Sequence, residues 1–386
     1  MSTASLRHLL LTLAVAALTL AGINHWAELW TDPGDGPEGP PERSAAVREL
    51  PREPASLPPA PRAPTVLLMG NSHTYTLPGL ERGEPLRPDP GATLIDELHR
   101  RLPEAGDEAV FLRLSYPNFL PFEMLLRYGQ LSLEGYRPRV VVLGLTWRNL
   151  ARDRQPRHQI RRVLEDPERA HQLARRLHQA PIEAPEPVLA MLDEQRRRQA
   201  YEEQQDRQRS AADRMDARLT EILGEEVALI GRSPDLRARL YRELAYGIEH
   251  WLVPQEESAF SYPVIDADLE LNLACLRTLL RWLDADGARV LLYRAPQRSD
   301  LPPLVDPRRL DQELSRIEDF AHSLGFVTVD ATAVVPNEFW GWDRSTPDRS
   351  HFTEPGHSRL AQTLVDEGRT SGLWQALTED PDRALQ

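Results

Sequence analysis

A serine near one end of this chain and an Asp–His pair near the other have the residue types that nucleophilic catalysis requires. Ser72 follows the apolar run 65–69, Gly70 and Asn71, so it is predicted to lie in a tight turn at the carboxyl end of a buried strand. A serine hydroxyl is a weak nucleophile that needs a nearby base, itself oriented by a third group. Asp348 and His351 are three residues apart, a spacing that lets the carboxylate fold back onto the imidazole.

The Asp–His pair is predicted to lie in a loop directly before a helix. Thr353 is a suitable helix N-cap, and Glu354 and Pro355 are typical of a first helical turn. Leu360 and Leu364 begin an apolar face with i, i+4 spacing. The loop would therefore present Asp348 and His351 toward the sheet edge that carries Ser72.

Two other histidines stand beside these residues, but neither is the better base. His73 follows Ser72 on the same turn and is expected to point away from its hydroxyl, so a structural or substrate-contacting role is favoured. His357 falls in the first turn of the helix, where packing or exposure is favoured. No cysteine pair or H-E-x-x-H helix accompanies Asp348, His351 and His357, so neither a metal site nor a cofactor is expected.

The early segment Gly-Asn-Ser-His-Thr at 70–74 and the late Asp-x-x-His segment, followed by Gly356 and a helix, resemble the first and last sequence blocks of the SGNH (GDSL-like) serine hydrolase family. The resemblance covers 65–150 and 285–370. It implies an α/β fold, a flavodoxin-like three-layer α/β/α sandwich on a parallel sheet. It also implies Ser72 as nucleophile, His351 as base and Asp348 as its orienter.

The same resemblance implies an oxyanion hole built from the Ser72 backbone N–H, a glycine N–H and an asparagine side chain. Asn149 stands close to the asparagine position, in an Arg-Asn pair where the family has Asn-Asp. The block with the glycine corresponds to 110–119, which contains no glycine. Asn118 is the nearest candidate there, because asparagine tolerates the left-handed backbone that glycine normally supplies.

Composition excludes several function classes. The net charge of −13 argues against a general nucleic-acid-binding role, because phosphate neutralisation needs a basic face. All 46 basic residues are arginines, so chemistries that need a lysine, such as Schiff-base or P-loop catalysis, are excluded. The single cysteine, Cys275, lies in an apolar helical pattern and is expected to be a buried structural thiol.

The first 30 residues predict a signal anchor or a signal peptide. Arg7 precedes the apolar segment 9–23, and Trp26 and Trp30 follow it. An uncleaved anchor is favoured over a cleaved signal, with a buried N-terminal helix as the remaining alternative. We expect membrane attachment through this segment and an extracytoplasmic location in the cell envelope or periplasm, or secretion if the segment is cleaved.

The remaining chain divides into a linker and one catalytic domain. Residues 31–64 are rich in Pro and Gly, as linkers are. Residues 65–386 show alternating strands and helices, interrupted at about 153–253 by a charged helical insertion that would serve as a lid, an oligomerisation surface or neither. Arg294 closes one strand and either faces the active site or lies at the surface.

Together these features predict a serine esterase or O-acyltransferase. Its substrate would be an acyl ester, such as an acetyl ester, of an extracytoplasmic molecule such as a cell-envelope polysaccharide. Esterase and acyltransferase use the same residues, so the sequence does not separate them. A lipase or lysophospholipase is the alternative within enzymes, and a non-catalytic membrane-anchored binding or scaffold protein with a degenerate hydrolase fold is the alternative outside them.

Overall fold

A six-stranded sheet forms the centre of the computed structural model of this chain. The structure describes residues 46–50, 59–74, 93–106, 109–116, 119–151, 167–194, 196–197, 266–343 and 346–378. These all belong to one of the two compact units into which the chain divides, 40–199 together with 259–386. The predicted signal segment and most of the predicted insertion lie outside the described residues.

The strands of this sheet are β1 (Val47–Glu49), β2 (Thr65–Gly70), β3 (Val110–Ser115), β4 (Val140–Leu145), β5 (Arg289–Arg294) and β6 (Val327–Asp330). They are parallel throughout and appear in the order β1-β3-β2-β4-β5-β6. Apart from the edge strand β1, this is the 2-1-3-4-5 order of flavodoxin-like sheets, so the predicted fold class is confirmed.

Strands β2, β3 and β4 are buried along their whole length, which explains why β2 and β4 are nearly continuous apolar runs, whereas β3 also contains the buried polar residues Arg113 and Ser115. The chain moves from β2 to β3 in one direction and then returns past β2 to β4. The carboxyl ends of β2 and β4 therefore flank the point where strand order reverses, and ligands bind at this point in open α/β sheets.

Helices cover both faces of the sheet and complete the three layers. They include α1 (Leu94–Arg101), α2 (Pro121–Leu133), α3 (Trp147–Ala151), α4 (Pro167–His178), α5 (Asp266–Ala285), α6 (Pro307–Ser323) and α7 (Glu354–Thr370). On one face α1 and α7 pack with apolar side chains such as Val66 and Val142. On the other face α2, α5 and α6 pack with side chains such as Leu67 and Leu143.

The described part of the insertion is helical, comprising α4 and a further helical segment at 186–194. Leu173 and Leu177 of α4 are buried in the same apolar cluster as α2, against which α4 packs. This part of the insertion therefore belongs to the core beside the sheet. Among the described residues, no helix has the length and apolar character needed to cross a membrane.

Two elements differ from the sequence-based expectation. The sheet begins at β1, inside the segment predicted as linker. The sequence does not reveal this edge strand, because three residues are too few to show a strand pattern. The loop predicted for Asp348 and His351 is wrong: both lie in β8 (Thr346–Phe352), which pairs antiparallel with β7 (Trp340–Asp343). The sequence of β8 is polar and shows no strand pattern, because the strand is stabilised by its pairing with β7.

Candidate active site

Ser72 begins a single 3-10 turn, Ser72–Thr74, that starts two residues after β2 ends. Its side chain lies at the carboxyl edge of the sheet, beside the point where strand order reverses. The residue is largely buried, with 6% of its surface exposed, and the turn closes with a bond from the Thr74 N–H to the Asn71 carbonyl oxygen. A serine held in a short turn at this edge has the placement that a nucleophile needs.

Asn71 and Thr74 fix the two ends of this turn to different neighbouring strands. The Asn71 Nδ2 donates to Thr146 Oγ1 at 2.9 Å and to Asn149 Oδ1 at 3.3 Å, in the segment that follows β4. On the other side, Thr74 Oγ1 lies 2.8 Å from Ser115 Oγ at the end of β3. The turn is therefore tied to both strands that pair with β2.

His73 connects the same turn to a strand that is not adjacent to β2. Its Nε2 lies 2.9 Å from the hydroxyl oxygen of Tyr293, near the end of β5. The ring is buried, and burial, with the nearby His351 contributing, lowers the pKa of His73 to about 3. The imidazole is therefore neutral at physiological pH and is enclosed by protein, which makes it a structural residue rather than a base open to substrate.

Asp348 and His351 form the hydrogen bond that their spacing predicts. His351 Nδ1 lies 2.7 Å from Asp348 Oδ2, and the backbone N–H groups of Ser350 and His351 donate to Asp348 Oδ1 at 2.6 and 3.1 Å. Burial alone raises the pKa of Asp348, but the bond and charge of His351 and the two backbone N–H groups hold it below its ordinary value. The carboxylate is therefore ionised and oriented toward His351 Nδ1.

Arg298 holds the hairpin that carries this pair. Its Nη1 donates to the carbonyl oxygens of Gly341 at 3.1 Å and Asp348 at 3.2 Å, one on each strand of the hairpin. An ion pair with Asp300 and the face of Trp342, 5.7 Å from the guanidinium carbon, complete its surroundings. The arginine side chain is 6% exposed, so it acts as an internal clamp between the loop after β5 and the hairpin.

The two halves of the site come together at the sheet edge. The turn Ser72–Thr74 packs against β8, and the charge of His351 reaches His73, the residue after Ser72. The structure thus brings Ser72, Asp348 and His351 into one region, although more than 270 residues separate Ser72 from His351 in the sequence. An ionised carboxylate, an imidazole and a serine hydroxyl in one region can perform acyl transfer.

Asn149, predicted as an oxyanion donor, is fully buried and engaged within the protein. Its Nδ2 donates to the Phe119 carbonyl oxygen at 3.0 Å, and its Oδ1 accepts from the Thr146 N–H at 2.7 Å and from Asn71. These contacts favour a bracing role between the turns after β2, β3 and β4. Asn118, predicted at the position of the missing glycine whose backbone N–H would donate, lies outside the described residues.

The Ser72 N–H is in a position that suits an oxyanion donor. The first hydrogen bond of the 3-10 turn is made by Thr74, so the N–H groups of Ser72 and His73 precede the bonded part of the turn. Backbone N–H groups at such a position make no hydrogen bond within the turn. The expectation that Ser72 N–H contributes to an oxyanion hole therefore stays a prediction with a consistent backbone geometry.

The other singled-out residues take structural roles. Arg294 bonds to Glu318, Asp311 and Ser315 of α6 and so does not face the site. His357 is buried, with its ring 4.5 Å from that of Phe352. Cys275 is fully buried, and burial raises the pKa of its thiol.

The described residues contain no group of three or more His, Cys, Asp or Glu side chains able to hold a metal ion.

Sequence reasoning missed the residues that support the turn and the hairpin: Thr146, Ser115, Tyr293 and Arg298. The first three lie at or next to the carboxyl ends of β4, β3 and β5. Polar residues at strand ends were therefore the available signal, because parallel strands place their carboxyl ends at one edge. For Arg298 no sequence signal existed, since its partners are backbone oxygens of a hairpin that was itself not predicted.

Comparison with known proteins gives only distant similarity. No protein-family model and no curated protein matches this chain. Among solved structures, a putative acylhydrolase from Bacteroides fragilis is 11% identical, with a TM-score of 0.36, over 83% of this chain and 93% of that chain. A family two carbohydrate esterase from Clostridium thermocellum is 9% identical, with a TM-score of 0.39, over 83% of this chain and 67% of that chain.

An acetylxylan esterase from Geobacillus stearothermophilus is 12% identical, with a TM-score of 0.36, over 80% of this chain and 95% of that chain. The structures to which this chain is similar thus include a putative acylhydrolase, a putative GDSL-like lipase from Parabacteroides merdae, and carbohydrate esterases. Similarity this low assigns no activity. The fold follows from the strand order, and the function rests on the geometry of the site.

Proposed function

We propose that this protein is a serine esterase or O-acyltransferase with Ser72 as nucleophile, His351 as general base and Asp348 as the group that orients His351. The observation that carries the proposal is the 2.7 Å bond between His351 Nδ1 and Asp348 Oδ2, on a strand that packs against the turn of Ser72. An Asp–His pair with a purely structural role would not require a serine turn beside it at the point where strand order reverses.

In the proposed reaction, Ser72 Oγ attacks the carbonyl carbon of an ester while His351 Nε2 takes the hydroxyl proton. Asp348 holds the proton on His351 Nδ1 and stabilises the imidazolium that forms. The ester C–O bond then breaks, and the leaving alcohol takes the proton from His351. Water, or a second hydroxyl group, attacks the acyl-enzyme by the same route and regenerates Ser72.

The negative oxygen of the tetrahedral intermediate needs hydrogen-bond donors. We propose the Ser72 backbone N–H as one of them, with Asn118 and Asn149 as the candidates that the resemblance implies. Each such donor typically lowers the barrier by about 3–4 kcal/mol. Because the contacts of Asn149 favour bracing, we expect its contribution to come mainly through Asn71 and the position of the serine turn.

The proposed substrate is an acetyl or other short acyl ester on an extracytoplasmic carbohydrate. The predicted N-terminal anchor or signal and the linker 31–64 support this choice, because they would place the catalytic domain beyond the membrane and within reach of envelope polysaccharides. We propose accordingly a membrane-anchored location in the cell envelope or periplasm.

Hydrolysis of a soluble acetyl ester such as 4-nitrophenyl acetate tests the proposal. Ser72→Ala is expected to reduce turnover to the background rate and to leave the thermal unfolding midpoint unchanged within a few degrees. Ser323→Ala is the matched control, because Ser323 is an exposed serine at the end of α6 and its loss should not alter turnover. Undiminished turnover by the Ser72→Ala variant would remove Ser72 from the nucleophile position.

Esterase and transferase activity are separated by the fate of the acyl group. With an acetylated oligosaccharide as donor and an unacetylated one as acceptor, an esterase releases acetate in proportion to donor consumed. A transferase instead produces acetylated acceptor, detected by mass spectrometry. Both outcomes require Ser72, so the comparison is made against the Ser72→Ala variant.

A non-catalytic scaffold with a degenerate hydrolase fold is the second candidate, and one observation favours it. Asn149 is buried and its Nδ2 donates to the Phe119 carbonyl oxygen, so at least one expected oxyanion donor has a structural role instead. A scaffold would retain the fold but show no serine-dependent turnover of any short acyl ester.

A further inference from the structure

His73 is a buried histidine in the middle of the serine motif for which the proposed reaction has no use. Its Nε2 is bonded to the Tyr293 hydroxyl, and its Nδ1 has no hydrogen-bond partner within the described part of the chain. Burying an imidazole with one ring nitrogen unbonded costs free energy, so a buried histidine of this kind usually has a structural or functional role. The position of His73, one residue after the nucleophile, indicates where to look for that reason.

The His73–Tyr293 bond spans a strand. Tyr293 lies on β5, His73 follows β2, and β4 runs between them in the sheet. Gly144 of β4 is the register partner of Tyr293. A Cβ atom at Gly144 would lie 2.6 Å from His73 Nε2 and would overlap the Tyr293 hydroxyl. The absence of a side chain at this position is therefore what allows the turn to reach β5.

We propose that the hydrogen bond between His73 and Tyr293, made across Gly144, is a positioning brace that fixes Ser72 relative to His351. This inference rests on the proposed function of Ser72. The brace constrains the turn from β5, whereas Asn71 and Thr74 constrain it only from the strands beside β2. His73 and Tyr293 are positioning residues, because the contacts that define the brace run to protein and not to the reacting atoms.

The chemistry of the two groups suits a brace. Burial and the neighbouring His351 keep the His73 ring neutral, and burial raises the pKa of Tyr293, so the phenol keeps its proton. A neutral ring adds no positive charge beside His351 when that residue takes the serine proton. The bond therefore provides rigidity without opposing the proton transfer.

The test compares kcat and KM for 4-nitrophenyl acetate in four variants of the full chain. Tyr293→Phe removes only the hydroxyl, and His73→Leu removes the ring nitrogens. His73→Gln keeps a polar nitrogen at similar reach, and Gly144→Ala adds the methyl group that the gap excludes. Tyr128→Phe is the matched control, because Tyr128 is also buried and bonded, to Asp286 at 2.8 Å, three residues before β5 begins.

We expect Tyr293→Phe, His73→Leu and Gly144→Ala each to lower kcat by roughly 10- to 100-fold with KM within about twofold, because small displacements of reacting groups have effects of this size. His73→Gln should recover most of the loss. The double variant His73→Leu/Tyr293→Phe should be no slower than the slower single variant, since both remove one interaction. Tyr128→Phe should leave kcat unchanged.

The inference is overturned if His73→Leu and Tyr293→Phe turn over like the wild type, or if their losses multiply in the double variant. It is also overturned if His73→Gln is as inactive as Ser72→Ala, because His73 would then take part in the chemistry itself. These results leave the proposed function standing. A wild-type protein that shows no Ser72-dependent turnover overturns the proposed function and the brace together. Thermal unfolding midpoints separate loss of folding from loss of positioning.

Discussion

The serine turn and the Asp–His hairpin are held in place in different ways. In the turn, the side chains of Asn71, His73 and Thr74 reach the ends of three different strands, and Ser72 lies among them. In the hairpin, the Asp348–His351 bond is local, and Arg298 clamps the backbone from one side. The nucleophile is thus positioned by the sheet, whereas the base is positioned by its own strand and one arginine.

This difference indicates that the two halves should respond differently to mutation. A local pair depends mainly on its two members, so its loss is abrupt. A turn fixed from three sides should lose function in steps, because two braces remain when one is removed.

The largest effect is expected from Asp348→Asn, which breaks the local pair. An amide cannot stabilise the imidazolium, and it favours the wrong tautomer of His351, so kcat should fall by roughly 10³- to 10⁴-fold. Asp366→Asn, on the exposed face of α7, is the control and should have no effect on turnover. A loss smaller than about tenfold from Asp348→Asn would mean that His351 needs no orienting carboxylate.

The next effect concerns stability and comes from the serine turn. The pKa of His73 is lowered to about 3 in the folded protein, whereas an unfolded histidine titrates near 6.5. Between these two pH values the unfolded state therefore binds a proton at His73 and the folded state does not. The free energy of unfolding consequently falls as the pH falls. The slope from this residue alone is about 1.4 kcal/mol per pH unit.

Urea unfolding of the wild type and of His73→Gln, from pH 7 to pH 4, measures this slope. The glutamine does not titrate, so the wild type should lose more stability than the variant on acidification, by about 1.4 kcal/mol more for each pH unit well below pH 6.5. Parallel curves would show that His73 takes up its proton at the same pH in the folded and the unfolded protein, which would remove it from the buried brace.

A smaller effect is expected from Arg298→Ala, which leaves the hairpin backbone without its clamp. Bonds from a charged donor to buried carbonyl oxygens are worth about 1.5–3 kcal/mol each, partly offset by water at the hairpin edge. We expect a loss of roughly tenfold in kcat together with a lower unfolding midpoint. Arg308→Ala, an exposed arginine of α6, should change neither quantity. If the Arg298 variant keeps full activity, the local pair positions itself without help.

The smallest effect is expected from Thr74→Val, which removes one of the three braces of the turn and keeps the side-chain shape. The hydroxyl of Ser115 loses its buried partner, at a cost of about 1–2 kcal/mol in unfolding free energy. Turnover should fall only a few-fold, less than after loss of the His73–Tyr293 bond, because Thr74 ties the turn to a strand already paired with β2 whereas His73 reaches β5. Thr370→Val, at the exposed end of α7, is the control. A loss as large as that of Ser72→Ala would contradict the stepwise behaviour.

The comparison also explains which parts of the site could be predicted from the sequence. The strands and helices of the sheet layers carry long apolar patterns, so the strand predicted from the apolar run 65–69 agrees within one residue with the observed bounds of β2. The Asp348–His351 pair is a contact over three residues, and spacing alone reveals such a contact. The same holds for Thr353, which is the N-cap of α7 as predicted.

The braces of the turn could not be predicted in the same way. His73 and Tyr293 are separated by 220 residues, and Thr74 and Ser115 by 41. No periodicity or short spacing in the sequence reveals either contact, because both depend on which strands are neighbours in the sheet. Thr353 shows the same limit on a small scale: its hydroxyl bonds to the Phe339 carbonyl oxygen, not to its own helix, because β7 begins beside it.

Covalent labelling with a fluorophosphonate probe, followed by mapping of the modified peptide, shows whether Ser72 is the nucleophile, because only an activated serine reacts at a useful rate. We expect one adduct per chain, on Ser72, formed by the wild type and by Ser323→Ala and absent from Ser72→Ala, with much slower formation in Asp348→Asn. An unlabelled wild-type protein, or an adduct on any serine other than Ser72, would contradict it.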